Sequence, residues 1–89
     1  MRVSEFDFIA KSSNINNDTC SFRYDGTFIT YFHIEHNSGN SLTGRFVEKP
    51  NVYDIMAREG EFTSVAMVKP KDTLVYIKLI FGLWEEQDA

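Results

Sequence analysis

CSFRYDGTFITYFHIEH, residues 20–36, is the part of the sequence that is most informative about the fold. Aromatic and β-branched residues dominate it, and these side chains pack well on a pleated, half-buried surface. The dipeptide Asp25-Gly26 interrupts the apolar residues with the chemistry of a tight turn. The stretch therefore predicts a β-hairpin, and the rest of the chain is interpreted outward from it.

The register of this hairpin determines which side chains share a face. A two-residue loop at the turn dipeptide pairs Tyr24 with Thr27 and places Phe22 opposite Ile29, whereas a three-residue loop with a glycine bulge places Phe22 opposite Phe28. We favour the three-residue loop because it collects apolar side chains on one face, namely Cys20, Phe22, Phe28, Phe32 and Ile34. The other face then carries Ser21, Arg23, Tyr31, His33 and Glu35.

The segments on either side of the hairpin predict further short elements. Residues 3–10 fit a strand or a short helix capped by Ser4, and we favour the strand. Residues 42–48 alternate as a strand that Pro50 ends. Asn51 then suits the cap of a two-turn helix over residues 51–59, with Gly60 at its stop position.

The C-terminal part predicts a second hairpin, formed by strands over residues 62–68 and 73–83 around a turn at Pro70. The last strand places an unbroken apolar row on one face, Val75, Ile77, Leu79, Phe81 and Leu83, so we expect it at the centre of the core. The predicted class is mainly β, with α+β at the margin. The architecture is a small antiparallel β-barrel, roll or sheet of five to six strands with one short helix, in a single domain over residues 1–89.

Composition limits the function classes. The 89 residues include 13 Asp plus Glu against 9 Lys plus Arg, a net charge of −4, which repels phosphate backbones and anionic lipid. The lone Cys20 and an N-terminus carrying Glu5 and Asp7 favour a cytoplasmic protein without a secretion signal. The longest nearly apolar stretch, residues 74–84, is interrupted by Lys78 and falls short of the roughly 20 residues of a spanning helix.

Residues 33–36, His-Ile-Glu-His, are the one cluster with acid–base or metal-ligating chemistry. On a strand, His33 and Glu35 point the same way and His36 points oppositely, so the cluster supplies two ligands where a catalytic metal needs three. No distant histidine supplies the third. We therefore interpret His33 and Glu35 as part of a solvated strand face and expect no enzyme activity, no metal and no cofactor.

The surplus of aromatic residues carries more information than any motif. Tyrosine and tryptophan beside carboxylates are typical of protein-binding surfaces. The predicted function is a non-enzymatic protein-binding module, such as a small acidic inhibitor or accessory factor, acting on a larger basic partner. Its predicted binding residues are Tyr31, His33, Glu35, Tyr76, Trp84, Glu85 and Glu86.

Three alternatives stay open at this stage. One is a small metal-dependent enzyme using His33 and Glu35. Another is a barrel-type binder of single-stranded nucleic acid, whose grooves are usually basic. The third is a homo-oligomer formed through an exposed strand edge, since few prolines guard such an edge in this chain.

Overall fold

The computed structural model describes residues 1–82 of the chain. Five strands and two helices follow one another in the order α1 (Val3–Ala10), β1 (Ser21–Asp25), β2 (Phe28–Glu35), β3 (Ser41–Val47), β4 (Val52–Glu59), β5 (Phe62–Val68) and α2 (Pro70–Phe81). The strands form one antiparallel sheet in the spatial order β1-β2-β3-β4-β5, a simple meander. The predicted class, a mainly β protein built on a small antiparallel sheet, is confirmed, with a second short helix in addition.

One face of the sheet is covered by the two helices. Alternate residues of β2, β3 and β4 point into this layer and are almost completely buried, as alternation along a strand requires: Phe32, Ile34, Leu42, Tyr53, Ile55 and Ala57. Helix α1 contributes Phe6 and Ile9, and α2 contributes Ile77 and Phe81. Neither helix of residues 1–82 lies over the other face, which is therefore the candidate functional surface.

The first hairpin forms as expected, but both predicted registers are wrong. The loop consists of Gly26 and Thr27, because Asp25 pairs with Phe28. The register of the β1–β2 pairing shifts between Arg23 and Tyr24, so that Phe22 lies opposite Phe32. This bulge changes which residues of β2 face the core. Before it, Ile29 is fully buried, and after it, the buried residues are Phe32 and Ile34.

The predicted helix over residues 51–59 is wrong, because this segment forms strand β4. Its apolar residues fit both the helical and the strand periodicity. The segment forms a strand in which Tyr53, Ile55 and Ala57 are buried, and it pairs with a neighbouring strand on each side. Asn51 adopts φ 67°, a left-handed turn conformation and not the extended conformation of a helix cap. It ends the turn from β3, while Gly60 lies in the turn to β5 with φ 63°.

The predicted strand over residues 73–83 is also wrong, because residues 70–81 form helix α2. Pro70 occupies the first turn and Gly82 caps the C-terminus in the left-handed conformation, a combination that is typical of helices. Burial follows the helical spacing, with Thr73, Ile77 and Phe81 inside. Leu79, which the strand interpretation placed in the core row, is 62% exposed, and Leu83 lies outside the described residues.

The opening segment is a helix, the alternative to the favoured strand. Its cap lies two residues earlier than Ser4: the backbone N–H of Arg2 donates a hydrogen bond to the Glu5 carboxylate at 2.8 Å. This contact satisfies a backbone donor at the helix start. Neither helix of the described part of the chain is long and apolar enough to cross a membrane.

Candidate binding face

The side of the sheet that faces away from both helices is called here the open face. The strand register assigns its members, which are Ser21 and Arg23 on β1, Tyr31, His33 and Glu35 on β2, Ser41, Thr43 and Arg45 on β3, Asp54, Met56 and Arg58 on β4, and Thr63, Val65 and Met67 on β5. The side chains are mostly half-buried on β2 and β3 and exposed on β5. The open face is therefore polar and rich in hydroxyl groups on β2 and β3, and it is apolar at its β5 edge.

A hydrogen-bonded chain of three side chains lies at the centre of the open face. The Thr43 hydroxyl lies 2.8 Å from His33 Nδ1, and His33 Nε2 lies 3.0 Å from a Glu35 carboxylate oxygen. In the neutral tautomer, Thr43 donates to Nδ1 and the Nε2–H donates to the carboxylate. Hydrogen bonds from His33 and Thr19 lower the pKa of Glu35 against a smaller opposing effect of desolvation.

Two further contacts hold cationic side chains on the open face. The guanidinium of Arg23 lies over the Tyr31 ring, 5.6 Å from its centroid. Arg45 and Asp54 form an ion pair with an N–O distance of 3.7 Å. Because both pairs are solvent-accessible, each contributes little to the stability of the fold.

A cleft of about 660 Å³ opens at one end of the open face. Its floor consists of His33, Glu35, Ser41, Thr43, Met56 and Arg58, and its walls come from residues 38–40 and Gly60. The β2–β3 loop and the β4–β5 turn therefore shape the cleft on opposite sides. It offers a guanidinium, an imidazole, a carboxylate, an amide, three hydroxyls and a thioether to a ligand, which is a mixed lining of polar and apolar groups.

No group of three or more His, Cys, Asp or Glu side chains lies together among residues 1–82. His36 points away from His33, as expected from strand alternation, and stacks on Phe81 with ring centroids 5.4 Å apart. Burial is also the main reason that the pKa of the Cys20 thiol is raised, which opposes thiolate chemistry.

The structure brings together three of the predicted binding residues. Tyr31, His33 and Glu35 lie side by side on the open face. Tyr76 lies in α2 and packs partly buried against the core, on the opposite layer. The remaining predicted residues, Trp84, Glu85 and Glu86, lie outside the described part of the chain.

Sequence reasoning missed the contribution of β4 and β5 to this surface. Met56 lies on the open face and is 45% exposed. Arg58, Val65 and Met67 were not singled out. In β4, the sequence signal for this surface is alternation: Tyr53, Ile55 and Ala57 face the core, so the residues between them lie on the open face.

No protein-family model, no curated protein and no solved structure matches this chain.

Proposed function

We propose that this chain is a non-enzymatic protein-binding module that recognises its partner through the open face, acting as an inhibitor or accessory factor of a larger protein. Its compartment in this proposal is the cytoplasm, because the one cysteine of the sequence calls for no oxidising environment.

The distribution of residue types over the surface carries the proposal. Three of the four arginines, two of the three methionines and Tyr31 belong to the open face. All five lysines fall within the described residues, and none lies on this face. Arginine, methionine and tyrosine are enriched in protein–protein interfaces, and lysine is depleted there. The open face has this composition, whereas the five lysines lie in α2, at helix ends and in the β3–β4 turn.

Preorganisation supports the same function. The contacts of Arg23 with Tyr31, of Arg45 with Asp54, and of His33 with Thr43 and Glu35 hold long polar side chains before a partner arrives. A side chain that is already held loses less conformational entropy on binding. Met56 and Met67 remain flexible and polarisable, so they can adapt to an apolar contact.

The charge of the partner is part of the proposal. The net charge of −4 led us to expect a basic partner, but the described residues contain nine basic and ten acidic side chains, a balance of only −1. The other three carboxylates are those of Glu85, Glu86 and Asp88. The open face has three arginines against Glu35 and Asp54. We therefore propose that the partner's contact surface is acidic, since charges at contact range act more strongly than the screened net charge.

A matched pair of variants tests the proposal. Arg58→Gln removes one positive charge from the open face, and Lys71→Gln removes one from α2 on the opposite layer. We expect affinity capture from the source lysate to recover a partner with the wild type and with Lys71→Gln. We expect Arg58→Gln to bind it at least about tenfold more weakly, a loss typical of an arginine that is a hot spot of an interface.

The pair also defines the contradicting result. A partner that is held equally by wild type and Arg58→Gln, but lost with Lys71→Gln, would place the binding surface on the helices. Circular dichroism of both variants shows whether the fold is retained, because both side chains are exposed and make no hydrogen bond on which the core depends.

A further inference from the structure

Strand β5 forms one edge of the sheet, and unlike the β1 edge it carries no charged side chain. The β1 edge is five residues long and carries Arg23 and Asp25, and charged side chains on an edge disfavour pairing with another strand. The β5 edge is seven residues long and contains no charged residue and no proline. Along it, Phe62, Val65 and Met67 are 81%, 61% and 64% exposed.

The free backbone groups of β5 fall on alternate residues. Glu59 pairs with Phe62 across a two-residue turn, and the closing pair of such a turn exchanges hydrogen bonds. The backbone groups of residues 62, 64, 66 and 68 therefore point toward β4. Those of Thr63, Val65 and Met67 point away from the sheet, where the described part of the chain provides no strand to receive them.

The charges flanking β5 differ at its two ends. Glu59 and Glu61 lie before the strand, and Lys69 and Lys71 lie after it. When two copies of β5 are antiparallel, the acidic end of each lies beside the basic end of the other. A parallel pairing would instead place carboxylates beside carboxylates, which is unfavourable.

We propose that two copies of this chain associate through β5, antiparallel and centred on Val65, so that their sheets continue into one. Thr63 then pairs with Met67 of the second copy, Val65 with its own counterpart, and Met67 with Thr63. All the outward groups are used, in about six hydrogen bonds. The register also places Glu61 opposite Lys69 of the second copy.

This association creates a continuous apolar row on the open face. Met56 lies beside Val65 within one copy, and Val65 lies beside Val65 of the other, so the row runs from one Met56 to the other. The interface is isologous and closed by one twofold axis, and therefore stops at a dimer. It goes beyond the proposed partner binding, which one copy can perform alone.

Sedimentation equilibrium over a concentration series tests the dimer, with Val65→Lys as the central variant. This substitution places two like charges opposite each other at the twofold axis, and the exposed position tolerates lysine in the monomer. We expect it to raise the dimer dissociation constant at least about tenfold. Val75→Lys, the same substitution at an exposed site on α2, is the control and should leave the constant unchanged.

A charge exchange tests the antiparallel register and does not depend on Val65. Glu61→Lys alone and Lys69→Glu alone each put like charges together at both ends of the interface, so each should weaken the dimer. The double variant restores opposite charges at both ends and should recover the wild-type dissociation constant. Its failure to do so would overturn the register proposed here.

Two other outcomes overturn the proposal as a whole. The first is a wild-type protein that stays monomeric up to about 1 mM, since an interface that weak contributes only about 4 kcal/mol at the standard state. The second is a dimer, or a larger assembly, that Val65→Lys leaves intact, because its interface then lies elsewhere on the molecule.

Discussion

The hydroxyl of Tyr53 lies inside the core, where it accepts a hydrogen bond from the Met1 ammonium group at 2.9 Å and donates one to the Ile29 carbonyl. We expect Tyr53→Phe to lower the free energy of unfolding by about 1–3 kcal/mol, because buried polar groups lose their partner. Tyr24→Phe, at an exposed position, is the control and should change it by less than about 0.5 kcal/mol. Urea denaturation measures both variants.

The same tyrosine makes stability depend on alkaline pH. Burial, with a smaller contribution from Glu5, raises the pKa of Tyr53 far above its ordinary value of 10.0. Above that value the unfolded chain loses the phenolic proton while the folded protein keeps it, so the free energy of unfolding falls as the pH rises. The decline should be less steep in Tyr53→Phe and unchanged in Tyr24→Phe. Equal slopes for wild type and Tyr53→Phe from about pH 9 to about pH 11 would contradict this account.

Gly44 lies directly against the ring of Phe32, its cross-strand neighbour, and a Cβ at this position would overlap that ring. We expect Gly44→Ala to lower the free energy of unfolding by about 1–3 kcal/mol through overpacking. In a Phe32→Leu background the same change should cost less, because the overlapping ring atoms are gone. A double-mutant cycle in urea measures the difference, and an equal cost in both backgrounds would show that the ring is not the cause.

At the scale of elements, α2 provides a direct test of helix against strand. Ile77 is fully buried, whereas Leu79, two residues later, is largely exposed. We expect Ile77→Ala to lower the free energy of unfolding by about 2–5 kcal/mol and Leu79→Ala by less than about 1 kcal/mol. The strand interpretation puts both side chains on one buried face and predicts similar losses for both. Urea denaturation of the two variants decides between these patterns.

The sequence predicts four of the five strands. Residues 42–48 and 62–68 agree within one residue with β3 and β5, and Tyr31, His33 and Glu35 lie on one solvated face as predicted. For β2 and β3 the physical reason is the alternation of polar and apolar side chains, whose period a helix cannot satisfy, whereas β5, FTSVAMV, does not alternate in this way.

Two segments were misassigned because their apolar residues fit both periods. In α2, apolar residues occur at every second position and also at helical spacing, so burial decides only after the chain has folded. Pro70 and Gly82 did carry the correct signal, as helix start and stop. In β4, hydrogen bonding to the strands on both sides stabilises the extended conformation in spite of the helical pattern. The local sequence does not show which segments of the chain will pair.

At the scale of the whole molecule, the distribution of charge separates two ideas about the partner. The triple variant Glu85→Gln, Glu86→Gln, Asp88→Asn removes the three carboxylates beyond the described residues and leaves the open face unchanged. If the partner's contact surface is acidic, affinity at low salt should stay equal or rise, because repulsion is removed. If the partner is basic and is attracted by the net charge, the triple variant should associate more slowly than the wild type. Stopped-flow or surface-plasmon measurements at two salt concentrations distinguish them.

Methionine methyl NMR shows whether the partner binds to the open face, as we propose. Met56 and Met67 lie on the open face, whereas Met1 is buried in the core on the opposite layer, so the protein contains its own control. With ¹³C-methyl methionine, we expect the captured partner to shift or broaden the Met56 and Met67 signals, relative to the free protein at the same concentration, and to leave Met1 unchanged. A saturated complex in which Met56 and Met67 keep their free positions would contradict the claim.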